Sequence, residues 1–189
     1  MEQSEQVINT NASYWPSVGI AALIFSLLTS TLQLITGYIQ INSEPSGSMF
    51  SPAMFSGIAI CLIGAFGGMV AVWHYAREYQ VTMKLGKGAL IGFLTGVVML
   101  LIGIALNKIW LLIDPEFTQK LMDSTMANFE AMDVPENQKQ QMMDGAAQQF
   151  ENNQSIVTQL IWGIPMFGIL NLLTGMLGVS LFAREKENT

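Results

Sequence analysis

Long apolar runs alternate with short polar breaks along this chain, and one polar interval is long enough to form a structure of its own. Four runs stand out: Ser17–Ile41, Ala53–Tyr75, Gly88–Ile113 and Ile156–Phe182. A hydrocarbon core about 30 Å thick takes about 20 apolar residues in helix, and each run is long enough. The third is interrupted near its end by Asn107 and Lys108. The bilayer offers no water to satisfy backbone N–H and C=O groups, so the runs must be helical. Trp15, Tyr38, Trp73, Tyr75, Trp110 and Trp162 fall towards run ends, where aromatic side chains occupy the membrane–water interface. The expected fold class is all-α: a polytopic membrane protein with four transmembrane helices, read as a single membrane domain over residues 1–189.

The polar interval, residues 114–155, carries helical periodicity of its own. Asp114 can cap a helix with Pro115 in its first position. Phe117, Leu121, Met122, Thr125, Met126, Phe129 and Met132 then share one half of a helical wheel, with Glu116, Lys120, Asp123 and Glu130 opposite. Asp133 and Glu136 have the spacing of a capping box, the acid standing in for Ser or Thr. The helix that follows gathers Met142, Met143, Ala146, Ala147 and Phe150 on its apolar face. The pattern predicts an extramembrane amphipathic helical hairpin between spans three and four. Its Met-rich faces have three uses. They can pack on each other, receive a protein partner through adaptable thioether surfaces, or bind Cu(I). No outer His or Cys accompanies the methionines, and Phe interleaves them as in a core stripe, so the copper use is the least supported. The partner surface would be Phe117, Leu121, Met122, Met126, Phe129, Met142, Met143 and Phe150.

Charge sharpens this picture. Only 12% of residues are charged, against about 25% in a soluble domain. The net charge is −6, and residues 114–155 hold eight acids and two bases, Lys120 and Lys139, so that interval accounts for all of it. Anionic head groups would repel it. No basic patch is available for nucleic acid. Lys and Arg near span ends report orientation. The 76–87 connector carries Arg77, Lys84 and Lys87, and the tail carries Arg184 and Lys186, whereas the 42–52 connector has neither. An even number of spans puts both termini on the side of the 76–87 connector. That side is expected to be the cytoplasm of a bacterial inner membrane, with residues 114–155 periplasmic. Lys108 is the base that runs against this count, and it is expected to snorkel. Glu2 and Glu5, with no Lys or Arg beside them, do not fit the start of a secretory signal. Asn11-Ala12-Ser13 matches a glycosylation sequon but is expected on the cytoplasmic side.

Membrane helices associate through close backbone approach and polar contacts, since lipid is as apolar as Leu. The third span offers Gly88, Gly92 and Gly96 at four-residue spacing and Gly103 a heptad on. The second offers Gly57, Gly64 and Gly68 with Gly67 beside them, and the fourth Gly168, Gly175 and Gly178. The packing glycines expected to matter are Gly64, Gly68, Gly88, Gly92, Gly96, Gly103, Gly168 and Gly175. They serve packing within one bundle or a contact between two copies. The intramembrane polar residues are Gln33 and Asn171, read first as interhelical hydrogen-bonding groups worth about 0.6 kcal/mol each and at most about 2. Pro165 removes one hydrogen bond of the fourth span.

Candidate chemistry is sparse. His74, the single histidine, has no Cys, Asp or second His at ligand spacing. Cys61, the single cysteine, lies inside an apolar run and reads as a small hydrophobe. No Asp, Glu or Arg lies deep in a span, and no nucleotide loop, zinc motif or nucleophile elbow is present. No cofactor is implied, and the chain is expected not to be an enzyme.

Four short motifs, with this layout, resemble a known family. They are His74-Tyr75-Ala76-Arg77-Glu78 after the second span and Lys87-Gly88-Ala89-Leu90-Ile91-Gly92 opening the third. Ile113-Asp114-Pro115-Glu116-Phe117 closes the third span, and Met132-Asp133-Val134-Pro135-Glu136 sits at the hairpin bend. From about Ser17 to Lys186 the chain is similar to the four-helix membrane proteins of Bacteroidetes grouped as domain of unknown function 4199. The resemblance implies four spans and a bacterial inner-membrane location, and supplies no functional residue. The expected role is that of an interaction or accessory protein presenting an acidic periplasmic hairpin. The alternative is a small oligomeric permease or channel. The partners are the lipid bilayer and either another protein or further copies of the chain.

Overall fold

The computed structural model describes residues 12–48 and 52–183. Asn11 of the sequon and the tail bases Arg184 and Lys186 lie outside the described residues. Among the described residues six α-helices follow one another: α1 (Trp15–Ile41), α2 (Pro52–Tyr79), α3 (Leu85–Ile113), α4 (Phe117–Glu130), α5 (Glu136–Gln154) and α6 (Ile156–Gly178). A π-helical turn, Val179–Ala183, continues α6 without a break. Among the described residues there is no strand. The four long helices, α1, α2, α3 and α6 with its π turn, have mean hydropathies between 1.8 and 2.6 and are long enough to cross a bilayer. The protein is an all-α, multi-pass membrane protein.

Local chemistry explains the helix ends. Pro16 sits in the first turn of α1, where its missing N–H costs nothing. Past Tyr75, α2 continues to Tyr79 and closes through Gln80 at φ 53°. The Val81 N–H then reaches back to the Ala76 carbonyl at 3.3 Å, the closure a left-handed residue permits. Neither expected hairpin cap forms. Asp114 ends α3 instead of starting α4, whose N-cap is Glu116 with no side-chain bond. Its carboxylate is drawn to Tyr38 and Lys120. Pro135 is the N-cap of α5, so Asp133 and Glu136 do not close a capping box. Glu136 lies 3.7 Å from Lys139 instead.

The most extensive helix pairing is α3 with α6; α1 packs on α2 and α3, and α2 packs on α6. The buried core gathers at the end of the bundle that holds the Lys/Arg connector, around Val18, Val72, Tyr75, Ile91 and Val179. Val81 and Met83 of that connector are buried too, and the Met83 N–H donates to the Ala183 carbonyl at 2.9 Å. No atom lies within 4 Å of where a Cβ would sit on Gly57 or Gly103. Within its own chain Gly103 therefore packs against no neighbouring helix, unlike the other packing glycines of α3. One turn earlier, the Leu100 side chain lies over Gly163 of α6, 2.8 Å from a Cβ built there. Apolar residues such as Leu23, Leu27, Ile58, Leu101 and Leu173 are exposed on the outside of the bundle, as lipid contact requires.

Candidate interaction surface

Inside the bundle the polar and glycine positions form one crossing. A Cβ on Gly68 of α2, or on Gly92 of α3, would overlap the Asn171 carbonyl oxygen of α6. One on Gly96 would overlap the Phe167 carbonyl oxygen, one on Gly88 the Val179 side chain, and one on Gly175 the Gly88 carbonyl oxygen. Gly168 lies under the Phe93 ring, and Gly64 makes ordinary contacts with Thr29, Met99 and Phe167. Asn171 is fully buried. Its Oδ1 accepts from the Gly68 N–H at 2.6 Å, and its Nδ2 donates to the Phe167 carbonyl at 3.0 Å. Gln33 differs. It lies one turn beyond Thr29 on the same face of α1, yet it is exposed. Where α1 nears the hairpin its contacts turn from α2 to α4, through Gly37 under the Phe117 ring.

At the opposite end of the bundle from the hairpin, Tyr75 is fully buried. Its hydroxyl donates to the Ala12 carbonyl and accepts from Lys87 Nζ, both at 2.8 Å. His74 Nδ1 and Ser17 Oγ share a hydrogen bond of 2.9 Å.

The hairpin is fastened to the bundle along α4. At its base the Tyr38 hydroxyl donates to Asp114 Oδ2 at 2.5 Å. Lys120 lies 3.0 Å from Glu116 and 3.7 Å from Asp114. The Tyr38 hydrogen bond, and after it the charge of Lys120, hold the Asp114 carboxyl below its ordinary pKa against the opposing effect of burial. Its hydrogen bond to Glu116 raises that of Lys120. Phe117 is buried, with Tyr38 5.0 Å away between ring centres. Midway, Gln40 Nε2 donates to Thr125 Oγ1 at 2.9 Å and Ser124 Oγ to the Gln40 carbonyl at 3.0 Å. At the far end, Asn128 Oδ1 accepts from the N–H groups of Ser46 and Gly47 at 3.1 and 3.2 Å. Gly47 has φ 62° and lies against the Ala131 carbonyl, so no other residue fits there without strain. A shallow open groove of about 360 Å³ runs between this loop and α4, with Ile41 and Pro45 on one side and Lys120 and Asp123 on the other.

The apolar faces of the hairpin are only partly covered. Phe117 and Met132 are buried, whereas Leu121, Met122, Met126, Phe129, Met142, Met143 and Phe150 are half-buried, with α4 and α5 packed together. The acids Asp123, Glu130, Asp133, Glu136, Asp144 and Glu151 are all exposed. Among the described residues no group of three or more His, Cys, Asp or Glu is gathered as a metal would need.

A family model described as a protein of unknown function, DUF4199, matches residues 18–179, a span that runs from the first turn of α1 through the hairpin to the π turn. The chain belongs to the DUF4199 family. No curated protein and no solved structure matches it. Several features that shape this DUF4199 hairpin are not legible in the sequence: Gly37, Gly47, Asn128 and the latch that Tyr38 forms with Asp114. Each acts across a distance in sequence of about 80 residues. The one local signal was Gly47 between two serines in a short connector, the composition of a tight turn.

Proposed function

We propose that this DUF4199 protein is a non-enzymatic interaction protein of the bacterial inner membrane that presents its acidic hairpin to a protein partner. The observation that carries the reading is the fastening of α4 at three levels, by Asp114, Thr125 and Asn128, beneath an α5 whose acids point outward. An idle loop needs no such attachment. A hairpin held in one orientation keeps its charged surface pre-organised, which lowers the ordering cost of binding. The lysine and arginine residues of the 76–87 connector support a cytoplasmic location for that end and a periplasmic one for the hairpin. The partner surface this reading predicts is basic, with apolar side chains able to enter the half-buried Met and Phe rows. The permease alternative draws on the glycine faces, Asn171 and Gln33. Asn171 and most of those glycines are occupied in packing within one chain, whereas Gln33 is exposed and Gly103 is open, so the balance favours the accessory reading.

The test is co-purification of the full chain from native membranes in a mild detergent, beside a variant whose exposed Glu136, Asp144 and Glu151 are changed to Gln, Asn and Gln. A stoichiometric second protein, lost in the variant, is the expected outcome. Equal recovery with both forms would overturn the acidic-hairpin reading, and a pure self-oligomer would return the weight to the permease.

A further inference from the structure

The hairpin is joined to the bundle by one kind of chemistry and to itself by another. Ser124, Thr125 and Asn128 of α4 bond to α1 and the loop after it, through Gln40 and Ser46. Phe117 lies on the same side of α4, over Gly37. At about 3.6 residues per turn, Met122, Met126 and Phe129 fall roughly a third of a turn round the helix from that side. The second helix carries a matching row. Lys139, Met142, Met143, Ala146, Ala147 and Phe150 are half-buried, and the residues between them are exposed. α5 packs on α4 and on α6, which follows it after Ser155. The row therefore faces α4. Thioethers and rings make the α4–α5 contact, whereas hydroxyls and amides fasten α4 to α1.

A thioether takes up oxygen under mild oxidants that leave hydroxyls, amides and carboxylates unchanged. Met122, Met126, Met142 and Met143 are half-buried among exposed acids such as Asp123 and Asp144, so small solutes in the water reach their sulfurs. Met83, Met99 and Met132 are buried. We propose that Met122, Met126, Met142 and Met143 form a reversible oxidation site for hypochlorous acid. A small uncharged oxidant suits a surface lined with carboxylates, which repels an anionic one. In each step the thioether sulfur loses two electrons and gains one oxygen, and the oxidant leaves as chloride and a proton. The sulfoxide oxygen is a strong acceptor, and Ala146, Ala147, Phe129 and Phe150 offer it no side-chain donor, so enclosing it between the helices is unfavourable. α5 then separates from α4, while α4 keeps its bonds to Gln40 and Ser46. Phe129 and Phe150 become exposed. The site works whether or not the hairpin has a protein partner.

The experiment treats the full chain in detergent with graded hypochlorous acid, locates sulfoxides by peptide mass spectrometry and follows amide hydrogen exchange. The first oxygens should go to Met122, Met126, Met142 and Met143, ahead of Met83, Met99 and Met132. Exchange across residues 136–154 should then speed up about tenfold or more, the ratio that one buried polar group without a partner corresponds to. Exchange across residues 121–128 should stay as it was. Methionine sulfoxide reductases A and B, one for each epimer, should restore the slow exchange. A chain with all four methionines changed to Leu keeps the packing volume and should keep its α5 protection in the oxidant. Met132→Leu should respond as the wild type does. Four sulfoxides with unchanged α5 exchange would overturn the proposal, and so would an α5 that is unprotected before any oxidant is added. Loosening of α4 together with α5, or first oxidation at Met132 or Met99, would also reject it. The reductase step tests the wild-type chain itself, so a leucine variant that fails to fold leaves the decision to that readout.

Discussion

Replacing Gly92 by Ala tests the glycine crossing most directly. A Cβ built on Gly92 overlaps the Asn171 carbonyl oxygen and lies 2.9 Å from the Asn171 carbonyl carbon and 3.1 Å from Gly175 Cα. Carbon atoms prefer separations of about 3.5–4.0 Å, so α3 and α6 must separate by at least about half an ångström to admit one methyl. All three obstructing atoms are backbone, so no rotamer change relieves them. Overpacking of this kind costs about 1–3 kcal/mol and occasionally more. The better helix propensity of Ala returns at most about 1 kcal/mol. The net expectation for Gly92→Ala is destabilisation by about 2 kcal/mol. Gly103→Ala, on the same helix, meets nothing within 4 Å and should be neutral or slightly stabilising. Gly57→Ala should behave likewise. The assay is reversible unfolding of the full chain in mixed micelles, titrated with a denaturing detergent and followed by circular dichroism. If Gly92→Ala and Gly103→Ala unfold within about 0.5 kcal/mol of each other, the crossing is not the tight contact described here.

Two further outcomes follow from the same geometry. Asn171→Leu should cost about 0.6–2 kcal/mol in that unfolding assay, the range for a hydrogen bond between membrane helices; an unchanged midpoint would show that the Gly68 contact contributes nothing. Asp114 has a folded pKa below its ordinary 3.8, so its contribution is complete above that value and is lost as the pH falls through the folded one. Hydrogen exchange across residues 117–130 should therefore be insensitive to protonation of Asp114 near neutrality and lose protection only in strong acid, whereas Asp114→Asn should expose the segment at every pH. Loss of that protection in the wild type well above pH 3.8 would refute the latch.

Hydrophobic length alone determined the four spans, because lipid forces any sufficiently long apolar segment into helix whatever its neighbours do. Amphipathic periodicity likewise determined that the polar interval is a pair of helices, since a 3.6-residue stripe survives any arrangement of the rest. Only the tertiary structure decided which glycines matter. Gly92 and Gly103 carry the same local signal on one face of α3, yet one touches the Asn171 backbone and the other nothing. The difference is made by α6, whose backbone at Asn171, some 80 residues away in sequence, reaches Gly92 and not Gly103. Gln33 and Asn171 part in the same way: both are single amides in apolar runs, but Asn171 is enclosed by α2 and α3 whereas Gln33 is exposed. Asp114 looked like a cap because capping is a local rule. It became a latch because α1 brings Tyr38, 76 residues earlier, within 2.5 Å of its carboxylate. Periodicity and hydropathy are sums over neighbours in sequence, whereas contact depends on how far two helix axes have separated at a given height, and no local pattern encodes that distance.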